Sequence, residues 1–96
     1  MLTSKQRSTL KSLAARMEPV AQVGKGGISD NLIRSLSQAL EARELIKVTV
    51  LKNSETEAEE LIRELAEATF SEPVQVIGNK VVLYRRSERK NFEHIL

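Results

Sequence analysis

The chain is organised around the stretch Val23-Gly24-Lys25-Gly26-Gly27-Ile28-Ser29, which puts three glycines and a lysine between two regular elements. The apolar residues 20–23 before it are typical of a short strand, and Ser29 is a favoured helix N-cap. Glycine reaches positive φ at little cost and holds no ligand away, while a helix N-terminus favours anions. The stretch therefore predicts a strand, a loop able to cradle phosphate, and a helix. The same glycines would equally serve a tight turn that holds no ligand.

Two nucleotide-binding motifs do not fit this spacing. A P-loop needs a lysine directly after its last glycine, whereas Lys25 precedes Gly26 and Gly27. A dinucleotide-binding fingerprint needs a third glycine where this chain has Ser29. The pattern that remains is G-x-x-G, from Gly24 to Gly27, by which KH domains clamp a nucleic-acid backbone.

Three helices and four strands are predicted outward from this loop. Capping signals at Thr3, Ser29 and Ser54 open the helices, and Pro19 is expected to end the first. Helical spacing predicts these inward-facing residues: Leu10, Leu13, Ala14 and Met17; Leu32, Leu36, Ala39 and Leu40; Ala58, Leu61, Ile62, Leu65 and Ala66. Strands are predicted at 20–23, 45–51, 74–77 and 80–84, with a type II′ turn at Gly78-Asn79.

The order α-β-α-β-α-β-β predicts a two-layer α/β domain with a mixed four-stranded sheet. Crossover helices imply parallel pairing of successive strands, and the last hairpin adds an antiparallel strand. Residues 1–86 form the predicted domain and residues 87–96 a charged tail. From Arg85 onward we expect the chain to be frayed.

Composition limits the class of protein. The 96 residues are 41% hydrophobic and 29% charged, which is typical of one soluble globular domain. There is no cysteine, so disulfides and zinc–thiolate sites are excluded. Neither a signal-peptide core near Met1 nor a run of eighteen apolar residues is present. We therefore expect a cytoplasmic monomer with no membrane partner.

Charge is distributed unevenly along the chain. Residues 54–72 carry seven glutamates and one arginine, a net charge of −6, while the other 77 residues carry a net charge of +8. Such polarity orients a protein on a polyanion, although it also serves solubility.

Catalytic chemistry finds little support. His94 and Asp30 are the only residues of their types, and Glu44 is best explained by local charge pairing near a chain reversal. We expect no enzyme activity, cofactor, metal or small-molecule substrate. With one tyrosine and two phenylalanines, the chain cannot stack several bases on an aromatic platform, so recognition should depend on phosphate, 2′-hydroxyl and shape.

Several stretches together resemble the CRM domain (chloroplast RNA splicing and ribosome maturation), specifically its bacterial stand-alone YhbY-like members. The resemblance covers about residues 2–86. It is carried by these stretches: Leu2-Thr3-Ser4-Lys5-Gln6-Arg7, Glu18-Pro19-Val20, the loop at 23–29, Glu44-Leu45-Ile46-Lys47-Val48, Ile77-Gly78-Asn79 and Val82-Leu83-Tyr84-Arg85. It implies a fold similar to the C-terminal domain of translation initiation factor 3, with sheet order 1-2-4-3.

The resemblance also implies a function. The family binds RNA, and its bacterial members are associated with precursors of the large ribosomal subunit, so we expect an rRNA partner. The family's G-x-x-G maps onto Gly24, Lys25, Gly26 and Gly27. Further RNA contacts are expected from the basic residues Lys5, Arg7, Lys11, Arg85 and Arg86, although each also fits an ordinary solvated surface. Two alternatives stay open: a general DNA- or nucleic-acid-binding module, and a protein-interaction domain that uses the acidic third helix.

Overall fold

The computed structural model describes all 96 residues and confirms the predicted order of elements. The helices are α1 (Ser4–Ala14), α2 (Asp30–Arg43) and α3 (Ala58–Thr69). The strands are β1 (Ala21–Val23), β2 (Leu45–Val50), β3 (Glu72–Ile77) and β4 (Lys80–Tyr84). None of the three helices is long and apolar enough to cross a membrane.

The strands form one mixed sheet in the order β1-β2-β4-β3, as the family resemblance implied. Strands β1 and β2 pair in parallel, and β4 pairs antiparallel with both β2 and β3. Parallel pairing of strands joined by a crossover helix is confirmed for β1 and β2 and is wrong for β2 and β3, which are not neighbours. The hairpin strand β4 inserts between them and hydrogen-bonds to both.

The sheet is covered on both faces, so the domain has three layers rather than the two expected. On one face, α2 and α3 pack over a cluster that contains Ile46, Val48, Val81 and Leu83. On the other face, Leu10 and Ala14 of α1 pack over a second cluster. The reason is that β2 and β4 carry apolar residues on both faces: Leu45, Val82 and Tyr84 belong to the cluster under α1. Apolar side chains on both faces of a sheet require cover on both.

The helix boundaries confirm some predicted signals and correct others. Thr3 and Gln6 form the predicted capping box, and Ser29 caps α2 through the amide of Leu32. Helix α1 ends at Ala14, before Pro19, and leaves Leu13 exposed. The capping box expected at Ser54 is wrong, because that hydroxyl bonds to the backbone of Thr56 and the helix begins after Glu57. The turn at Gly78 has φ +54°, while Asn79 has negative φ, as a type II′ turn requires.

The tail at residues 87–96 is anchored to the domain instead of being frayed. Glu44 is fully buried at the end of α2, with φ +66°, and its carboxylate accepts hydrogen bonds from the Ser87 and Ile95 amides. His94 Nδ1 contacts the same carboxylate. The Ser87 hydroxyl donates to the Glu41 carbonyl. The local charge pairing expected of Glu44 near the chain reversal is therefore wrong, because its partner is His94, fifty residues away.

Burial and hydrogen bonding act on the Glu44 carboxyl in opposite directions. Burial by itself would raise its pKa, but hydrogen bonds from His94, Ser87 and Ile95 together outweigh burial, so the pKa lies below its usual value. Glu44 is therefore ionised in the folded protein at neutral pH. Its ionised form stabilises the fold through the tail.

We predict that Glu44→Gln lowers the free energy of unfolding at pH 7 by about 2 kcal/mol. The glutamine NH2 group cannot accept a hydrogen bond, whereas both carboxylate oxygens of Glu44 accept one from a backbone amide of the tail. A lowered folded-state pKa gives stability that is present above the unfolded-state pKa and is lost as pH falls through the folded-state pKa. The difference between wild type and Glu44→Gln should therefore shrink below about pH 4. Urea unfolding across that range measures it. Glu88→Gln, whose exposed side chain makes no hydrogen bond, is the matched control. A difference that stays constant with pH would contradict the assignment.

Candidate nucleic-acid interface

The glycine loop is a tight turn that follows β1. The Gly27 amide donates to the Gly24 carbonyl at 3.0 Å, which closes a four-residue turn. Lys25 and Gly26 are the central residues of this turn and both are exposed. The Lys25 side chain therefore lies at the tip of the loop, where an external anion can reach it.

The three glycines of the loop serve different purposes. A Cβ at Gly24 would lie 3.0 Å from Asn53 Oδ1 and 3.2 Å from Leu51 Cδ1, so glycine avoids a crowded contact with these side chains. Gly27 has φ +66°, the left-handed conformation that glycine favours. Gly26 has open space around its Cβ position and no positive φ. Its exposed backbone leaves room for a ligand, whereas the Cβ position of Gly24 is crowded by Asn53 and Leu51.

The start of α2 is less open to anions than its position suggested. The Ser29 hydroxyl already accepts the Leu32 amide at 3.1 Å, and Asp30 adds a negative charge in the first turn. An aspartate at this position competes with an external anion for the positive end of the helix dipole. Lys25 is therefore the main source of positive charge in the loop.

The loop lies at one end of the sheet, together with the turn of the β3–β4 hairpin. The Leu51 amide donates to the Val23 carbonyl at 2.8 Å, and the Val50 amide donates to the Asn79 carbonyl at 2.6 Å. The carboxyl ends of β1 and β2 and the turn at Gly78-Asn79 therefore lie together at one end of the strands. We call this end of the sheet the loop end.

Arg7 lies at the opposite end. Its guanidinium donates to the carbonyls of Pro73 and Val74 at 2.6 and 2.9 Å, near the start of β3. From the pair Leu45–Tyr84 to the pair Thr49–Lys80 the strands advance four residues, about 13 Å. The structure therefore separates Arg7 from the glycine loop by at least the length of these strands.

Arg85 leaves β4 at the same far end, and its guanidinium makes four hydrogen bonds within the protein. It donates to the Ser37 hydroxyl and carbonyl at 3.1 and 2.9 Å, and to the Thr69 carbonyl at 2.7 Å. It also forms an ion pair with Glu41 at 3.1 Å. A phosphate would have to displace these partners, so the primary role of Arg85 is to join α2 to α3.

The other basic residues are exposed but dispersed. Lys5 lies in the first turn of α1, and Arg86 follows Arg85 at the far end. Lys11 lies one turn before Ala15, which lines a crevice with Ile77 and Lys80. Residues four apart share a helix face, so Lys11 is on the same side of α1 as Ala15.

The sheet brings beside the loop four residues that no sequence motif indicates. Strand register aligns one row across the four strands: Gln22, Thr49, Lys80 and Ile77. They lie on the face that α1 covers, but at the loop end, where Gln22 and Ile77 are exposed and Thr49 and Lys80 are half-buried. We call these four residues the cross-strand row. The alternation of Lys80, Val82 and Tyr84 indicates their common face, but only the strand order shows which residues are neighbours.

Comparison with known proteins gives a consistent assignment. Residues 2–85 match the family model described as the CRS1 / YhbY (CRM) domain. The chain is 49% identical over 94 residues to the Bacillus subtilis protein named "Probable RNA-binding protein YqeI", an alignment that covers 97% of this chain and 98% of that one. It is 34% identical over 92 residues to a Haemophilus influenzae protein named "RNA-binding protein", which covers 96% of this chain and 93% of that one.

A solved structure agrees with the sequence matches. The solution structure of the hypothetical protein SAV1595 from Staphylococcus aureus is similar with a TM-score of 0.79 and 50% sequence identity, over 95% of each chain. The fold and sequence together define an α/β domain of a family with RNA-binding members. The chain belongs to the CRS1/YhbY (CRM) domain family, which confirms the resemblance found in its motifs.

We predict that Arg85→Ala and Arg86→Ala separate structural from surface roles at the far end. Arg85→Ala should lower the free energy of unfolding by about 2 kcal/mol, since it removes the charged donor shared by Ser37, Glu41 and Thr69. Arg86→Ala should change it by less than about 0.5 kcal/mol, because that side chain is exposed. Chemical denaturation of both variants provides the measurement. Equal stabilities would contradict the structural role assigned to Arg85.

Proposed function

We propose that this protein is a non-enzymatic, cytoplasmic RNA-binding protein that contacts rRNA through the glycine loop and acts in assembly of the large ribosomal subunit. The observation that carries the proposal is the loop itself: Lys25 and Gly26 form an exposed turn tip whose backbone a phosphate can approach. Relatives of this chain are named as RNA-binding proteins, which supports the class of ligand.

The charge distribution supports an oriented mode of binding. Helix α3 carries exposed glutamates, including Glu60, Glu64 and Glu67. Together with α2, it covers the sheet face opposite α1. RNA phosphates are repelled from this acidic face and attracted to the lysines at the loop end. The protein therefore binds with α3 turned away from the RNA.

The nine residues proposed from the sequence contribute unequally. Gly24 and Gly27 set the shape of the turn, Gly26 admits the ligand backbone, and Lys25 pairs with phosphate. Lys11 is placed to extend this contact, while Lys5 and Arg86 remain peripheral candidates. Arg7 and Arg85 contribute mainly by holding the fold, since their guanidinium groups are occupied.

We predict that Gly26→Asp weakens RNA binding about tenfold while leaving the domain folded, because it sets a carboxylate against phosphate in an open position. It is a cleaner test than aspartate at Gly24, which would crowd Asn53, or at Gly27, where φ is positive. Fluorescence anisotropy with a labelled fragment of large-subunit rRNA measures the affinity. Ser35→Asp adds the same charge at an exposed position in α2 and serves as control. Unchanged affinity in folded Gly26→Asp would contradict the loop as the phosphate site, and equal binding of duplex DNA would favour the general nucleic-acid module.

We predict that the protein sediments with large-subunit or pre-large-subunit fractions when a lysate is separated at low magnesium. It should be scarce in polysomes, because an assembly factor must leave before the subunit translates. Moderately raised salt should release it, since the contact is mainly with phosphate. Recovery of the protein with small subunits, with polysomes, or free at low salt would contradict the proposal that its partner is the large subunit. RNA binding itself is tested separately by the affinity measurement.

A further inference from the structure

The loop end has one open direction in which bound RNA can continue. On the α3 side, a concave surface between the Gly78-Asn79 turn and the start of α3 is lined by Lys52 together with Glu57 and Glu59. Two carboxylates oppose one ammonium there, so a phosphate backbone gains nothing on that side. The α1 side of the same sheet edge carries Lys80 and, one row further in, Lys47. RNA held by the loop therefore continues toward the α1 face.

The surface on that side is the cross-strand row, in which Gln22 and Ile77 are exposed and Thr49 and Lys80 are half-buried, Lys80 beside the end of α1. Helix α1 ends at Ala14, and Leu96 and Met17 pack on the cluster at the far half of this face. The row crosses three strand spacings, about 14 Å, starting on β1, the strand that leads into the glycine loop. It thus forms a continuous path from the loop across the sheet.

Each residue of the row offers a contact suited to an unpaired nucleotide. The Lys80 ammonium donates one hydrogen bond, to Asn79 Oδ1 at 3.0 Å, which leaves donors for phosphate. Gln22 and Thr49 present amide and hydroxyl groups that can bond to base edges or to a 2′-hydroxyl. Ile77 is 54% exposed and borders a crevice with Ala15 and Lys80. It provides an apolar contact for a base in a row that contains no aromatic residue.

We infer that the cross-strand row is a second RNA-binding element, which binds a short single-stranded segment adjoining the part held by the glycine loop. This inference rests on the proposed function. It adds that the bound RNA includes a single-stranded segment and that this segment runs from the glycine loop across the sheet. Lys80 pairs with the phosphate backbone of the segment, and Ile77 packs against one of its bases. Single-stranded RNA is the form that fits, because only unstacked bases present a face to a side chain on an open sheet.

Two labelled RNAs test the inference: an rRNA hairpin with a single-stranded flank, and the same hairpin without it. Wild type should bind the flanked hairpin more tightly. Lys80→Gln should lessen the slope of log affinity against log salt by about 0.7, the value for one single-strand phosphate contact. Ile77→Ser should weaken binding of the flanked hairpin severalfold without changing that slope. Neither change should affect the hairpin without the flank.

The matched control is Arg63→Gln, which removes one positive charge from the exposed face of α3 and should leave both affinity and slope unchanged. Circular dichroism confirms that each variant is folded. If Lys80→Gln and Ile77→Ser bind like Arg63→Gln while Gly26→Asp still loses affinity, the row is not an RNA site and the proposed function stands. If wild type binds neither RNA, the proposed function itself fails.

Discussion

Strands β2 and β4 carry buried apolar residues on both faces, and the arrangement of the whole domain follows from the need to cover these residues on each side. Three helices must be divided between two faces, so α2 and α3 cover one while α1 is left to cover the other. An eleven-residue helix is too short for that task, and Leu96 at the chain terminus packs beside it on the same cluster. The cover stops before the loop end. The open surface beside the glycine loop is thus a consequence of how the core is divided.

The two ends of the sheet use their charged residues differently. At the far end, Glu44 and Arg85 are each satisfied by several internal hydrogen bonds, and together they tie the tail, α2 and α3 to the sheet. Removing a hydrogen-bonding partner from a buried charge is strongly destabilising. These groups are therefore poor ligands for RNA, because RNA would have to displace their internal partners. At the loop end, by contrast, Lys25 and Lys52 are exposed. The exposed Lys25 at the loop end is therefore available to an external phosphate, whereas the Arg85 guanidinium is already bound within the protein.

Much of the fold could be predicted because its signals are local. The Thr3–Gln6 capping box, the Ser29 cap and the Gly78-Asn79 turn depend on neighbours along the chain, and each appears as expected. The number of layers could not be predicted, because alternation along β2 and β4 does not show which helix takes which face. The role of Glu44 was equally hidden, since a non-glycine residue with positive φ and partners fifty residues away leaves no local pattern. The glycine loop was located by its spacing, whereas the cross-strand row depends on strand order.

The central claim is that RNA meets the loop end and not the far end. A titration of isotope-labelled protein with the flanked rRNA hairpin, followed by amide chemical shifts, tests it residue by residue. The account predicts the largest changes at residues 24–27 and along the cross-strand row. It also predicts little change at Arg85, Arg86 or the tail anchored on Glu44. Changes concentrated at the far end, or on the acidic face of α3, would contradict it.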